Sequence, residues 1–220
     1  MEMYLDTAKT DEIKYALEHW DIDGLTTNPR HIQASGQPLD RVIDQIAELF
    51  AGTDKPVSME VNPRLTRAKE IVESGRALAK RSSNFVIKVG ASEAGFEAIR
   101  ELSKEGIPTN ATLLFHVAQA WHAARCGATY VSPFLGWKES HGDSAETLVG
   151  EIFTMLQIHG YPTRIIAAAV RNARQIAIVA QDGAHCATAG VDVWRESFRS
   201  PYTDMGHERF GAAWDSFDKS

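Results

Sequence analysis

A (β/α)8 TIM barrel with an extra C-terminal helix is the fold this sequence predicts, and three observations predict it. First, about eight short strand-like runs alternate with about eight stretches of helical periodicity. Second, the alternation proceeds without a Pro/Gly/Ser-rich linker, a composition shift, an internal repeat or a low-complexity segment, so residues 1–220 are expected to form a single barrel domain. Third, Asp6, Asn28, Glu60, Lys88, Asn110, Thr112 and Ser132 each fall at or near the end of a predicted strand, where barrels build their sites. The competing doubly wound sheet fits less well, because Asp6-Thr7-Ala8-Lys9 stands where that fold carries a Gly-rich phosphate loop.

The elements follow in order. Met3 to Leu5 reads as a first strand ending at Asp6, and Ile13, Ala16, Leu17 and Trp20 mark a helix face from Thr10 onward. Gly24 to Thr27 reads as a strand closed by Asn28-Pro29, followed by a helix with Leu39, Val42, Ile43, Ile46 and Leu49. Pro56 to Val61 supplies a third strand, and Ala68, Ile71, Val72, Gly75, Leu78 and Ala79 the next stripe. Asn84 to Val89 is a fourth strand, with a helix carrying Ala98, Ile99 and Leu102 behind it. A strand near Pro108 to Leu113, a helix from about Phe115 to Arg125 and a strand from Thr129 to Phe134 come next. Leu148, Ile152, Met155 and Leu156 mark a helix, Ile165 to Val170 a strand, Ala173, Ile176, Ala177 and Ala180 a helix, and His185 to Thr188 the last strand. Beyond Gly190 the pattern gives a short helix and, from about Gly206, a terminal one with Phe210, Ala213, Trp214 and Phe217. Those aromatics exceed what closing a barrel needs, so this helix packs either on a neighbouring subunit or back on its own barrel.

Composition narrows the functional classes. The chain is 44% hydrophobic and 24% charged, a globular balance that excludes disorder and fibrous repeats. Its net charge of -6 gives no general attraction to polyanions, so nucleic acid and anionic membranes are not expected partners. The N-terminal Met1-Glu2-Met3-Tyr4-Leu5-Asp6 lacks the pattern of a signal peptide, and no apolar run reaches the roughly 20 residues of a membrane span, which makes the cytoplasm the expected location. Cys126 and Cys186 lie far apart and the eight histidines are scattered, so the reading is two reduced core thiols and no metal.

Lys88 is the centre of the chemical reading. It sits in Asn84-Phe85-Val86-Ile87-Lys88-Val89, among residues that strands prefer. An ammonium buried without a partner is costly, and the usual escape is a depressed pKa that exposes a nucleophilic amine, the chemistry of a Schiff-base lysine. A lysine ending a strand more often turns to solvent or pairs with a carboxylate. Each polar neighbour also has an ordinary use: Asp6 could cap a helix, Asn28 could form a turn with Pro29, and Thr112 could be a plain strand residue. Their convergence on one rim around a lysine points to a site.

Asp6, Gly24-Leu25-Thr26-Thr27-Asn28-Pro29, Lys88, Asn110-Ala111-Thr112-Leu113-Leu114-Phe115 and Ser132-Pro133-Phe134 resemble the transaldolase family, including its short fructose-6-phosphate-aldolase-like subfamily, over nearly the whole chain. The resemblance implies that Lys88 forms a Schiff base with the ketone of a ketose donor, so no cofactor is needed. It implies that Asp6 takes the C4 hydroxyl proton, that Glu60 and Thr112 hold a proton-shuttling water, and that Asn28, Asn110 and Ser132 hold hydroxyls of the dihydroxyacetone unit. Glu60 and Phe134 favour transfer to an acceptor aldehyde over free cleavage, since the short aldolases carry glutamine and tyrosine there.

The departures concern the far end of the substrate. Arg30 and His31 follow Asn28-Pro29 where the family has serine and an aliphatic residue, Trp137 replaces a phosphate-binding arginine with Lys138 beside it, and Ala169 replaces a phosphate-binding serine while Arg171 is kept. A sulfonate carries one charge and no protonatable oxygen, so an indole N–H and guanidinium groups suit it. In this the set is similar to the transaldolases of 6-deoxy-6-sulfofructose in sulfoquinovose breakdown, with Arg30, Trp137 and Arg171 on the sulfonate and His31 and Lys138 in support. The resemblance then implies transfer of dihydroxyacetone to glyceraldehyde 3-phosphate, giving 3-sulfolactaldehyde and fructose 6-phosphate. An ordinary transaldolase or fructose-6-phosphate aldolase, or a silent barrel that binds a sugar anion, are the alternatives. A homo-oligomer through the C-terminal helix is the expected assembly.

Overall fold

The chain closes eight parallel strands into a barrel in sequence order, each paired with its neighbours and the last with the first, in a computed structural model that describes residues 1–217. The strands are β1 (Glu2–Asp6), β2 (Gly24–Thr26), β3 (Val57–Glu60), β4 (Phe85–Gly90), β5 (Thr109–Leu114), β6 (Tyr130–Pro133), β7 (Arg164–Ala167) and β8 (Cys186–Ala189). The sequence expectation of a TIM barrel with a C-terminal helix is met.

Eleven helices are described: α1 (Thr10–His19), α2 (Pro29–Ala34), α3 (Leu39–Phe50), α4 (Ala68–Ala79), α5 (Glu93–Lys104), α6 (Val117–Arg125), α7 (Leu135–Ser140), α8 (Leu148–His159), α9 (Ala173–Gln181), α10 (Val191–Ser197) and α11 (Pro201–Asp215). The periodic stripes give the long ones their inward faces, as with Val42, Ile43, Ile46 and Phe50 of α3. Two helices escape the sequence reading. At six residues each, α2 and α7 are too short to show a stripe, and α2 is nucleated by local chemistry: Asn28 accepts from Arg30 N and His31 N, with Pro29 in the first turn. The same device starts α11 at Pro201 behind the Ser200 cap, five residues before the expected Gly206. Strand β7 stops at Ala167, short of the expected Val170, because Ala169 takes φ 54°, outside strand geometry.

Strand alternation sorts side chains between two cores. Leu5, Ile87, Val131, Ile165 and Ala187 face outward and pack under the helices, whereas Tyr4, Val86, Tyr130, Ile166 and Cys186 fill the lower barrel interior. Gly24 is required there: a Cβ at this position would lie 2.7 Å from the Tyr4 ring and 2.8 Å from Pro56 O. One layer higher the inward positions become Asp6, Thr26, Glu60, Lys88, Ser132 and Thr188, which line an open cavity.

Of the two readings for the terminal helix, packing back on its own barrel is corrected. No residue of α11 is buried, and Tyr202 and Phe210 are 80% and 79% exposed. Cys126 is only partly buried, so of the two expected core thiols just Cys186 lies fully inside; both are free. Among the described residues no helix is long and apolar enough to cross a membrane.

Candidate active site

Register builds the site from neighbouring strands. Asp6 of β1 pairs with Thr26 of β2, Glu60 of β3 with Lys88 of β4, and Lys88 with Asn110 of β5. Lys88 is 4% exposed, and of the readings the sequence left open the one that brings it to a carboxylate is met. Its Nζ donates to Thr27 O at 2.9 Å and lies 3.5 Å from Glu60 Oε2. A buried lysine held this way keeps its amine aimed along a fixed line, and one partner can take up a proton.

The two carboxylates around it are driven apart. Burial pushes the Glu60 carboxyl up; the Lys88 charge and hydrogen bond oppose this, nearby Asp6 adds to it, and the net direction is upward. Burial also pushes Asp6 up, but the His31 hydrogen bond and charge, the Lys88 charge and the Thr26 hydroxyl outweigh it and hold Asp6 below its ordinary value. Asp6 Oδ1 accepts from Thr26 Oγ1 at 2.8 Å, Thr26 Oγ1 lies 2.6 Å from Thr188 Oγ1, and Asp6 Oδ2 is 3.1 Å from His31 Nε2. Two carboxyls with opposed proton affinities beside one amine suit a site that both donates and removes protons.

The cavity above Lys88 has a volume of about 490 Å³ and is lined by Asn28, Arg30, His31, Phe134, Trp137 and Arg171 as well as the deep polar group. Phe134 and Trp137 meet edge to face at 5.5 Å, with Phe115 behind both. Gly136 lets Arg171 lie close over α7, since a Cβ there would come within 2.5 Å of Arg171 Nε and of Ala169 O. Among the described residues neither Arg30 nor Arg171 makes an ion pair.

Three residues expected in the site do not line the cavity. Asn110 is fully buried, its amide donating to Ser58 Oγ at 3.0 Å and its carbonyl accepting from Ser132 Oγ at 2.8 Å, so that one N–H and one lone pair remain unused. Thr112 is 1% exposed, and its Oγ1 has no hydrogen-bond partner among the described residues. Lys138 is turned away from the cavity, its ammonium paired with Asp143. His31 does reach the cavity, but its Nε2 is directed at Asp6 and not outward.

Other cavity residues were not singled out from sequence. Thr26 and Thr188 follow the inward alternation of their strands, a signal that was available. Leu113 could not be found that way: a register shift between Ala111 and Leu114, with Leu113 at φ 61°, turns it into the cavity. Leu113 and Ala169, two of the three non-glycine residues with positive φ among those described, both line this cavity, and such strain gathers where geometry is fixed for chemistry.

A barrel with a buried amine beside a carboxyl at the C-terminal strand ends has the parts that imine chemistry needs. The family described as Transaldolase/Fructose-6-phosphate aldolase matches residues 3–218. The chain is 48% identical over 217 residues, 98% of its length and 96% of the relative's, to a 6-deoxy-6-sulfo-D-fructose transaldolase of Priestia aryabhattai. It is 41% identical over the full length of both chains to a probable transaldolase of Streptococcus agalactiae, and 39% identical to one of Lactiplantibacillus plantarum over 99% of this chain and 98% of that one. The chain belongs to the transaldolase/fructose-6-phosphate aldolase family, and it is a transferase of the transaldolase type.

Proposed function

We propose that this enzyme transfers a dihydroxyacetone unit from 6-deoxy-6-sulfofructose to glyceraldehyde 3-phosphate through a Schiff base on Lys88. The products are 3-sulfolactaldehyde and fructose 6-phosphate. The observation that carries the reading is Lys88 Nζ buried between Glu60 and Thr27 O at the floor of a cavity whose rim holds two guanidinium groups without ion-pair partners among the described residues. A relative at 48% identity that is named a 6-deoxy-6-sulfo-D-fructose transaldolase supports the choice of donor.

Lys88 attacks the C2 ketone, and Glu60, whose burial favours its neutral form, protonates the departing oxygen as water leaves and the imine forms. The partnerless buried hydroxyl of Thr112 suits it to share a water with Glu60. The C3–C4 bond then breaks: its electron pair stays on C3 and is delocalised into the imine as an enamine. The C4–O bond becomes the carbonyl of the released aldehyde, and the hydroxyl proton passes to Asp6. Attack of C3 on the acceptor aldehyde takes that proton back, and hydrolysis of the new imine then returns the water lost at the first step, releasing fructose 6-phosphate and the free Lys88 amine. Ser132 donates to Asn110, which leaves its oxygen lone pairs for a substrate hydroxyl, and Asn28 spends its carbonyl on the α2 cap, which leaves its amide N–H groups for another. Phe134 has no hydroxyl to protonate the enamine, which favours waiting for an acceptor over release.

At the far end, Arg30 and Arg171 supply charge and the Trp137 indole an N–H. Lys138, paired with Asp143, adds only long-range charge. We place the enzyme in the cytoplasm as a homo-oligomer, with the exposed aromatics Tyr202, Phe210 and Trp214 of α11 covered by a second copy.

Borohydride reduction with sulfofructose present should add a stable mass to the peptide that contains Lys88, and Lys88→Met should abolish both adduct and transfer. An adduct on another lysine, or none, overturns the mechanism and leaves the silent-barrel alternative.

A further inference from the structure

The pairing of His31 with Asp6 is the feature that the transaldol chemistry above does not require. Asp6 would act as a base without it, yet α2 is built so as to place the imidazole there. Asn28 Oδ1 accepts from His31 N at 3.1 Å and from Arg30 N at 2.9 Å, and Pro29 fixes the backbone between them. The capped turn delivers His31 Nε2 to 3.1 Å from Asp6 Oδ2, while Thr26 Oγ1 holds the other carboxylate oxygen at 2.8 Å. Both oxygens of the base are thus tied, one by a hydroxyl and one by a titratable ring. At 3.1 Å from Asp6 Oδ2 the contact is favourable with a hydrogen on Nε2, and repulsive without one.

Resting on the Schiff-base reading, we propose that His31 is a positioning residue for Asp6, not a ligand of the donor's anion, and that its charge state sets how strongly Asp6 pulls the C4 hydroxyl proton. The neutral ring, with its hydrogen on Nε2, orients Asp6 and leaves it a competent base. The imidazolium makes the same bond but adds a positive charge, which weakens Asp6 as a base for cleavage and strengthens its protonated form as an acid for the acceptor step. The charged groups that share the cavity are Asp6 on β1, Glu60 on β3, Lys88 on β4, Arg30 on α2 and Arg171 beyond β7. The ring is partly exposed, at 32% of its side chain, and so can exchange protons with solvent.

The consequence is directional. Donor cleavage weakens whenever the ring is protonated, while Asp6, held below its ordinary value, stays ionised. His31→Gln keeps a side-chain N–H donor without the titration, and His31→Leu removes both. The measurement is kcat and KM for transfer from sulfofructose to glyceraldehyde 3-phosphate across pH, read as fructose 6-phosphate formed. We expect His31→Leu to lower kcat by roughly ten- to a hundredfold with donor KM changed less than about threefold, the pattern of a lost transition-state contact. We expect His31→Gln to recover most of kcat near neutrality and to lose the part of the pH dependence that the imidazole contributes. A His31→Gln profile superimposable on wild type overturns the proposal. So does a raised KM for the sulfonated donor with kcat unchanged, which would make His31 an anion ligand. Should His31→Leu fail to fold, the His31→Gln profile decides alone. Borohydride trapping on Lys88 in His31→Gln separates the two levels: an adduct with an unaltered profile sinks only the role of His31, whereas absence of an adduct in wild type sinks the Schiff-base reading beneath it.

Discussion

The two ends of the barrel offer cavities of nearly the same size, about 490 Å³ at the C-terminal end and about 510 Å³ at the N-terminal end, yet their charges are arranged in opposite ways. At the N-terminal end most of the charged groups are paired, Asp54 being the exception among the described lining residues. Arg164 binds Glu2 at 2.6 Å, Cys186 donates to Glu2 Oε2 at 3.2 Å, and Lys55 reaches both Asp21 and Ile22 O at 2.8 Å. The Asn84 amide closes on Thr53 O and Lys55 O. Burial and the Glu2 carboxylate together push the Cys186 thiol up to about 12, which keeps it inert. At the C-terminal end Arg30 and Arg171 stand without ion-pair partners among the described residues, Thr112 Oγ1 is unsatisfied, and two backbone positions are strained. Volume therefore does not distinguish a working end from a structural one. Cationic groups left without ion-pair partners do, because stability favours pairing such groups and a bound anion accounts for leaving them open.

Substitutions at the two ends should separate accordingly. After the complete loss expected of Lys88→Met, the largest effect is expected from Arg171→Ala, which removes a charge-assisted contact worth about 1.5–3 kcal/mol and should cut kcat/KM roughly ten- to a hundredfold for sulfofructose and fructose 6-phosphate alike, with the melting midpoint nearly unmoved. Trp137→Phe sharpens the same end: losing a neutral N–H should cost the sulfonated donor up to about tenfold and fructose 6-phosphate less. Equal losses for both donors would show that Trp137 does not read the sulfonate, and the ordinary transaldolase reading would gain ground.

The N-terminal end should respond in stability instead. Gly24→Ala drives a methyl into the Tyr4 ring and Pro56 O, and should destabilise by about 1–3 kcal/mol in a urea titration while kcat/KM stays within about twofold. A larger loss of activity than of stability would break the division between the ends. Glu2→Gln is expected to be the mildest change, about 1 kcal/mol, since the pair is over a third exposed. Burial pushes Glu2 up, but Arg164 and the Cys186 hydrogen bond hold it below its ordinary value. Its stabilisation is therefore present above the ordinary glutamate pKa and fades as pH falls through the lowered one. The gap in melting midpoint between Glu2→Gln and wild type should be open at neutral pH and close in acid.

The sequence by itself determined the barrel and the ring of strand ends. Both rest on local regularities: helix stripes of period near 3.6 and strand alternation of period 2 are written in residues a few places apart. Lys88, Asp6, Glu60 and Ser132 could be placed on the inner face from their position in short apolar runs. What those side chains touch was not legible, because that depends on register and rotamer across residues distant in the chain. Lys88 proved to be partnered because Thr27 and Glu60 arrive from two other strands. Asn110 sank below the floor because Ser58 and Ser132 claim both ends of its amide, and Lys138 left the cavity for Asp143. The bulge that turns Leu113 inward and the capped α2 that brings His31 onto Asp6 were likewise settled only when the barrel closed. The open choice for α11 closed the same way, with its aromatics left outside. Periodicity tells which face a residue is on; only the packed chain decides which partner meets it there.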